Sequence, residues 1–260
     1  MDSYINPEWK DTFKTQGLMD FETLWNLDID PLDVPNFGRG RHGKSSVGIY
    51  KISLPDGKIR KLILKRQINY FSRTFIHPLR GIPTSQKELM NLLKLNRLGI
   101  SCCRPVYYTQ SPCVDGLRAI LVTEHLESFI PLNAIIDSST SGWQDDRIRQ
   151  RLIYAIAKEI ARMHRVHFQH NCMYPKHIFI KQDNNEVTVS FIDLEKGDWL
   201  PFSINRKVRD LGSLYKRTQG VSLFDCYRFI IAYCRAQHLD NNTKKLISAI
   251  EGYCRKKYTN

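Results

Sequence analysis

The stretch QHNCMYPKHIFI, at residues 169–180, and the stretch VSFIDLEKG, at residues 189–197, decide the fold of this chain. Each contains a short apolar strand, and the polar turn QDNNE joins the two strands. A hairpin of this kind brings His177, at the start of the first strand, near Asp193, at the end of the second. An imidazole and a carboxylate that meet at strand ends can hold Mg²⁺ and, through it, the phosphates of a nucleotide.

The same residues resemble the catalytic loop of the kinase-like fold. That loop has a His-x-Asp sequence, an Asn five residues after the Asp, and a metal-binding Asp beyond the next strand. His170 matches the His, His177 the Asn and Asp193 the metal-binding Asp, whereas Cys172 stands where the catalytic Asp is expected. The histidine in the Asn position, the wording NCMYPKHIFI, and LKRQINYFSRTFIHPLRGIPTSQKE at residues 64–88 are similar to the InaA-like lipopolysaccharide kinases of the WaaP/Kdo group.

This resemblance implies an α+β, bilobal protein-kinase-like fold, with a β-rich N-terminal lobe at residues 1–127 and a mainly helical C-terminal lobe at residues 128–260. It implies transfer of the γ-phosphoryl group of ATP to a sugar hydroxyl of the lipopolysaccharide core. The expected cofactor is Mg²⁺, and Mn²⁺ is also acceptable because histidine is a softer ligand than asparagine. The expected partner is an anionic glycolipid or a phosphorylated sugar, met at the cytoplasmic face of the inner membrane.

Lys65 ends the apolar strand LILK, and Glu88 follows 23 residues later at the start of a helix. In a kinase-like fold such a Lys contacts the phosphates of ATP and pairs with a Glu on the next helix. The alternative is a solvated lysine and an ordinary helix-capping glutamate. We also place Glu124, in the strand LRAILVTEHL, among the nucleotide-binding residues.

The segment GRGRHGKS, at residues 38–45, matches the P-loop pattern letter for letter. A P-loop needs an apolar strand before it and a helix after it, but here DVPNF precedes the segment and the strand SVGIYKISL follows. We therefore predict a loop that covers the nucleotide, in which Gly38, Gly40 and Gly43 let backbone N–H groups approach phosphate. The alternative is a flexible basic turn.

Cys172, His170 and Lys176 are the candidate catalytic residues. An ordinary thiol has a pKa of about 8.5, so Cys172 cannot simply replace an aspartate as a base. Phosphoryl transfer can proceed without a strong base, because positioning and electrostatics dominate a loose transition state. Alternatively, Asp198 or Glu195 serves as the base, or the chain is a weak or inactive pseudokinase that acts by binding in a stress response.

Other polar residues near this loop have simpler interpretations. Asp210, in the RDL sequence at residues 209–211, resembles the Asp that braces the catalytic loop backbone in kinase-like folds. His164 and His167 lie at the end of a predicted helix, where a cationic imidazole complements the helix dipole. We assign no chemistry to these two histidines.

Periodicity predicts the elements around the site. SVGIYKISL and KIRKLILK alternate around a Pro-Asp-Gly turn and predict a β-hairpin. A helix follows, capped by Thr84 or Ser85 and ended by Gly99. Two strands come next, RPVYYTQ and LRAILVTEHL. In the second lobe, one long helix buries Ile148, Leu152, Ile156, Ile160 and Met163, and two more helices lie around residues 223–237 and 243–256.

The net charge of the 260-residue chain is +13, and the charge is concentrated. Between Lys58 and Arg97 there are ten Lys or Arg residues and one acidic residue, Glu88. Such a segment predicts a face for phosphates, an anionic membrane or nucleic acid, with a solubilising surface as the alternative. No nucleic-acid-binding motif is present, so we expect no nucleic acid.

The chain has no apolar run near the roughly 20 residues of a transmembrane helix, and MDSYINPEWK lacks a secretory apolar core. We expect a cytoplasmic protein that is peripheral to the inner membrane. The seven cysteines form no CxxC pair, which disfavours structural zinc and predicts free thiols.

Overall fold

The computed structural model describes residues 2–32, 36–37, 43–74, 77–79, 81–114, 116–138, 142–184, 186–199 and 204–256. The chain divides into two compact units. The first comprises Met1–Lys94 and Cys103–Glu127, and the second comprises Leu95–Cys102 and Ser128–Asn260. Residues 95–102, which sequence reasoning assigned to the first lobe, therefore group with the second unit.

The first unit is built on an antiparallel sheet. Its strands are β1 (Ser3–Ile5), β2 (Asp30–Pro31), β3 (Asn36–Phe37), β4 (Lys44–Ser53), β5 (Ile59–Ile68), β6 (Phe71–Ser72), β7 (Ile82–Pro83), β8 (Pro105–Cys113) and β9 (Gly116–Glu124). In the described part of the chain the sheet runs in the order β1-β8-β9-β5-β4-β2, with β3 also on β4, while β6 and β7 pair separately. The helices are α1 (Lys10–Thr15), α2 (Phe21–Trp25) and α3 (Thr84–Arg97), and a 3₁₀ turn spans Pro7–Trp9.

The hairpin predicted around Pro-Asp-Gly is confirmed. Strands β4 and β5 pair along their full length from Ser53↔Ile59 to Lys44↔Ile68. Gly57 closes the turn with φ +81°, a left-handed conformation that suits glycine. Because the Gly-Lys-Ser end of the GRGRHGKS segment leads into a strand rather than a helix, a P-loop is excluded.

Helix α3 begins and ends where the sequence predicted, but its first turn is held differently. The backbone N–H of Ser85 donates to Oε1 of the buried Gln67 on β5, at 2.9 Å. The hydroxyl of Thr84 contacts that of Ser72. At the other end, Gly99 adopts φ +71°. The N–H at the start of α3 is therefore bonded to a side chain of β5, whereas we expected a capping side chain from the helix start itself.

The N-terminal residues pack on the sheet and help to form its core. Aliphatic side chains of β5, β8 and β9 meet aromatic and aliphatic side chains from the first 24 residues. The buried members are Trp9, Phe13, Leu18, Leu24, Ile52, Leu62, Leu64, Val106, Tyr107, Ile120 and Val122. Burying each large side chain is worth roughly 1.5–3 kcal/mol, so this segment contributes substantially to the stability of the unit.

The segment from Lys58 to Arg97 does not form the single basic face that we predicted. Successive side chains of β5 point to opposite sides of the sheet, which separates its cations. Lys65 is paired with Glu88, and Arg66 donates to the Leu27 carbonyl at 2.5 Å. The positive charge of this segment is therefore partly used inside the unit.

The second unit is mainly helical. Its helices are α4 (Leu132–Asp137), α5 (Asp146–Arg165), α6 (Ile204–Arg217), α7 (Leu223–Cys234) and α8 (Asn241–Lys256), and its strands are β10 (Ile130–Pro131), β11 (Phe168–Gln169), β12 (Ile178–Asp183), β13 (Glu186–Phe191) and β14 (Asp198–Trp199). Strands pair in the orders β10-β12-β13 and β11-β14. Two 3₁₀ turns, Pro175–His177 and Leu194–Lys196, flank the β12–β13 hairpin.

The amphipathic pattern of the long helix is confirmed in α5. Leu152, Ile156, Ile160 and Met163 are buried, while Ile148 is half-buried. Asp145 caps the helix by accepting N–H bonds from its first turn. Helices α7 and α8 lie where the sequence predicted them, but α4 and α6 were not predicted. Within the described ranges, no helix is long and apolar enough to cross a membrane.

Candidate active site

The β12–β13 hairpin brings His177 and Asp193 together, as the sequence predicted. Its register pairs Ile178 with Phe191. The next residues outward are His177 and Ile192, and the Ile192 N–H donates to the His177 carbonyl at 3.1 Å. Asp193 follows, with its Oδ2 3.4 Å from Nε2 of His177. The register of the hairpin therefore fixes this pair.

Hydrogen bonding shows which ring nitrogen of His177 carries the proton and which one faces Asp193 with a lone pair. Nδ1 lies 2.9 Å from the carbonyl oxygen of Cys172, and a carbonyl can only accept, so Nδ1 carries the proton. Burial lowers the pKa of His177, although the charge of Asp193 opposes that shift. In the neutral ring, the lone pair of Nε2 then faces the carboxylate.

This donor set fits a divalent cation. Two ligand atoms that are each about 2.1 Å from one ion lie about 3.0–3.4 Å apart for angles between 90° and tetrahedral. Among the described residues there is no group of three or more His, Cys, Asp or Glu side chains that could hold a metal. Mg²⁺ is usually held by one or two protein groups together with water and substrate phosphates. The pair therefore suits a metal–nucleotide complex rather than a closed structural site.

His170 has a bracing role rather than the catalytic one that we predicted. Its ring is fully buried, and burial lowers its pKa. Nδ1 accepts the N–H of Cys172 at 3.3 Å, and Nε2 lies 3.0 Å from the Ile192 carbonyl, to which it donates. With both ring nitrogens in use, His170 joins the loop to the hairpin and is a positioning residue.

The carboxylate of Asp210, on α6, holds the backbone of this loop, as the sequence predicted. Oδ2 accepts the N–H of His170 at 2.8 Å, and Oδ1 accepts the N–H of Asn171 at 2.9 Å. Asp210 is completely buried. Charge-assisted bonds of this kind are about twice as strong as neutral ones, and they offset the cost of burying the carboxylate.

His164 differs from our interpretation as a helix-end cation. It is buried, with Nε2 3.2 Å from Oδ2 of Asp210 and Nδ1 2.8 Å from the hydroxyl of Tyr233. It therefore connects α5 with α6 and α7 through the carboxylate that braces the loop. Only the packing of three helices reveals this role.

Cys172 is buried among polar groups. Its thiol is hydrogen-bonded to Tyr174, and burial together with Cys172 raises the pKa of that tyrosine. Burial lowers the pKa of Lys196, but the charges of Cys172 and Asp193 outweigh this effect and raise it. Lys176 is exposed and close enough for its charge to contribute to the lowered pKa of His177.

The two alternative bases have other contacts or little exposure. Asp198 Oδ2 accepts a hydrogen bond from the side-chain amide of Asn171 at 3.0 Å. Glu195 is buried. Neither carboxylate is presented as an open acceptor beside Cys172, and a base role for either stays a prediction.

An aromatic column that sequence reasoning missed fixes the ring of His177. The ring of His170 stacks on it with the ring centres 5.9 Å apart, and the ring of Tyr174 stacks on it with the ring centres 5.2 Å apart. The guanidinium of Arg217 lies 4.0 Å from the centre of the Tyr174 ring. Such cation–π contacts contribute roughly 0.5–2 kcal/mol. Tyr174 is visible in the loop sequence, but Arg217 lies at the end of the unpredicted α6.

In the first unit, the predicted ion pair is present. Lys65 Nζ lies 2.5 Å from Oε2 of Glu88, with 15% and 6% of the two side chains exposed. Lys65 lies inside β5, which continues to Ile68, rather than at the strand end. Nearby, burial and the charge of Glu88 raise the pKa of Cys103 to about 12, so this thiol adds no charge at neutral pH.

The other residues that we predicted to bind the nucleotide are Gly38, Gly40, Gly43 and Glu124. Gly38 and Gly40 lie outside the described residues. A Cβ on Gly43 would lie 2.8 Å from the Asn69 carbonyl oxygen, so this glycine permits close packing between β4 and β5. Glu124 accepts a hydrogen bond from Nε1 of Trp9 at 2.9 Å. It therefore joins the N-terminal segment to β9, and its role in nucleotide binding stays a prediction.

Comparisons with known proteins identify relatives of this chain. The pattern of the lipopolysaccharide kinase (Kdo/WaaP) family matches residues 23–233. The chain is 27% identical to Protein InaA of Escherichia coli (strain K12) over 177 residues, which cover 68% of this chain and 78% of that protein. A solved structure, WaaP in complex with acyl carrier protein, is similar with a TM-score of 0.69 at 19% identity, over 99% of this chain and 100% of that chain. This likeness establishes the α+β, kinase-like fold.

Replacing the bracing carboxylate tests its role. In Asp210→Asn, the amide cannot accept from both backbone N–H groups with the strength of a carboxylate. We expect the free energy of unfolding to fall by about 2–3 kcal/mol. We also expect the amide protons of His170 and Asn171 to exchange at least about tenfold faster. Asp240→Asn is the matched control, because Asp240 also accepts a backbone N–H but at a half-buried helix N-cap, where Asn serves nearly as well. Equal effects of the two substitutions would contradict the bracing role.

Proposed function

The chain belongs to the lipopolysaccharide kinase (Kdo/WaaP) family, and we propose that it transfers the γ-phosphoryl group of ATP to a sugar hydroxyl of the lipopolysaccharide core. The observation that carries this proposal is the His177–Asp193 pair, in which a fixed tautomer turns the Nε2 lone pair towards a carboxylate. In the reaction, the acceptor oxygen forms a bond to the γ-phosphorus while the bond from that phosphorus to the β–γ bridging oxygen breaks. ADP leaves, and the hydroxyl proton passes to solvent or to a base.

Some residues of the site supply charge, and others hold the loop in position. His177 and Asp193 would hold Mg²⁺, or Mn²⁺, which neutralises phosphate charge when bound. Lys65, held in place by Glu88, supplies a cation for the nucleotide phosphates. Asp210 and His170 keep the loop backbone fixed. Most of the catalytic effect in phosphoryl transfer comes from such positioning and electrostatic stabilisation, and these residues provide both.

The acceptor is, by this proposal, an anionic glycolipid or a phosphorylated core sugar at the cytoplasmic face of the inner membrane. Exposed cations lie beside the loop, including Lys176. Their charge attracts a phosphorylated acceptor and weakens with salt. The first unit adds further exposed cations, although they do not form one continuous face.

The direct test is ATP turnover by the purified protein, with Mg²⁺ or Mn²⁺, against core oligosaccharide. We expect Asp193→Asn to remove metal-dependent ATP binding, as measured by calorimetry, and to reduce turnover by at least about a hundredfold. Asp183→Asn is the matched control, because Asp183 is an exposed aspartate on the same hairpin, and we expect it to leave both quantities unchanged. Unchanged Mg·ATP affinity in a folded Asp193→Asn variant would refute the metal assignment.

Substitution of Cys172 separates an active kinase from a pseudokinase. If positioning is sufficient, Cys172→Ala lowers turnover by less than about tenfold. Cys172→Asp raises turnover, because general-base help is worth about 10²–10⁴-fold. Cys102→Ala is the control at another buried cysteine. If turnover is absent from the wild type and both Cys172 variants in the presence of acceptor, the chain is a pseudokinase that acts by binding.

A second proposal concerns acyl-chain binding in the second unit. A cavity of about 160 Å³ lies among side chains of α4, α5, α6, α7 and α8, including Ile136, Ile156, Leu214, Ile230 and Ile250. An engineered apolar cavity of roughly 150 Å³ is large enough to bind benzene. The similar solved structure is described as WaaP in complex with acyl carrier protein. We propose that the cavity accepts the end of an acyl chain, delivered by such a carrier or by the glycolipid itself.

Filling the cavity tests this second proposal. Cys226 lines the cavity on α7, whereas Cys234 is exposed at the end of the same helix. We expect Cys226→Trp to weaken binding of a fluorescent fatty acid by at least about tenfold, since the indole takes up the volume that the chain would fill. Cys234→Trp should bind the probe as the wild type does. Equal binding by both variants, each with a native melting curve, would reject the cavity as the acyl site.

A further inference from the structure

The edge of strand β13 borders a groove on the surface of the second unit. The groove has a volume of about 640 Å³, within the range of roughly 300–1,000 Å³ found for ligand sites. One side is formed by Val187, Thr188 and Val189, and the other by α5. Successive strand residues point to opposite faces of a sheet, so three in a row can line one groove only along the strand edge.

The backbone along this edge is turned towards the groove. The Phe191 N–H donates to the Ser101 carbonyl at 3.1 Å, so it points away from β12. Backbone groups of a strand repeat their direction every second residue, so the N–H and C=O groups of Val187 and Val189 also point away from β12. Within the described residues, β12 is the only strand that pairs with β13. Val187 and Val189 therefore present donors and acceptors in strand spacing.

The chain itself shows that this edge accepts another strand. Cys102 forms a parallel bridge with Phe191, which places the segment before it alongside the end of β13. Gly99 then adopts φ +71°, and the chain turns away before it reaches Val189. The added strand stops after one bridge, and the rest of the edge borders the groove.

The helix side of the groove is positively charged. Its lining includes Arg151, Lys158 and Arg162, together with Tyr154, which is 59% exposed. Among the lining residues that the structure describes, the one acidic residue is Glu159, whose carboxylate accepts from Nη1 of Arg162 at 2.7 Å and from the Ser101 N–H at 3.4 Å. The groove therefore has an excess of cations.

We propose that this groove binds an extended acidic peptide segment of a partner protein, which adds to β13 as a further strand. Backbone hydrogen bonds to Val187 and Val189 give the affinity, and the cations of α5 select acidic side chains. Tyr154 offers an aromatic surface for an apolar residue of the peptide. A bilayer or a nucleic acid would match the charge but not the row of strand donors and acceptors.

A displayed library of random twelve-residue peptides, selected on the full-length protein, provides the probe. We expect the enriched sequences to be rich in Asp and Glu around β-branched residues. Synthetic copies, measured by fluorescence anisotropy, should lose at least about tenfold in affinity with Lys158→Glu, which reverses a contacting charge. Val187→Pro should lower the affinity by a similar factor. Proline removes an N–H that points away from β12, so the pairing between β13 and β12 is kept.

Two matched variants make the test decisive. Val187→Thr keeps the N–H and the β-branched shape, and Lys245→Glu makes the same charge change on α8, outside the groove lining. Both should bind as the wild type does, and all four variants should melt like the wild type. The proposal is overturned if no peptide is enriched, if Val187→Pro binds normally, or if Lys245→Glu weakens binding as much as Lys158→Glu.

Discussion

The hydrogen bonds from the loop backbone to the buried carboxylate of Asp210 are the constraint on which the candidate site depends. They fix His170, whose Nδ1 accepts the N–H of Cys172. The carbonyl of Cys172 in turn accepts from Nδ1 of His177 and so sets the tautomer that faces Asp193. A chain of hydrogen bonds thus runs from helix α6 to the predicted metal ligands. Each bond is buried or partly buried, and an unpaired member would cost the desolvation of a polar group, so these hydrogen bonds hold together as a unit.

The sequence predicted this hairpin because its information is local. A period-two apolar pattern, a polar turn and two functional residues at the strand ends are sufficient to place His177 beside Asp193. The pair of Lys65 and Glu88 was predicted from family resemblance, since 23 residues separate its members and no local pattern joins them. The P-loop match could be rejected because a strand pattern follows its Gly-Lys-Ser end.

What the sequence did not predict depends on contacts between distant elements. His164 looked like a helix-end cation because its position on α5 was known but its partners on α6 and α7 were not. The basic segment looked like one face because charge was counted along the chain, whereas β5 sends neighbouring side chains to opposite sides. Gln67 replaced the expected helix cap for a similar reason: a buried side chain from another element satisfied the same N–H. Local patterns indicate that a group needs a partner, but packing decides which one.

The presence of Cys172 in place of the expected aspartate changes the electrostatics of the loop as well as its proton chemistry. Lys176, Lys196 and Arg217 lie around a loop in which Asp193 is the carboxylate nearest to His177. An aspartate at position 172 would add a further carboxylate to a loop that already contacts Asp198 and Asp210, and it would supply the base that the loop lacks. A cysteine in this position gives up that base. In a loose transition state, positive potential and fixed position provide most of the catalysis, and a base would add to them. The substitution is therefore compatible with phosphoryl transfer to a substrate that is itself anionic.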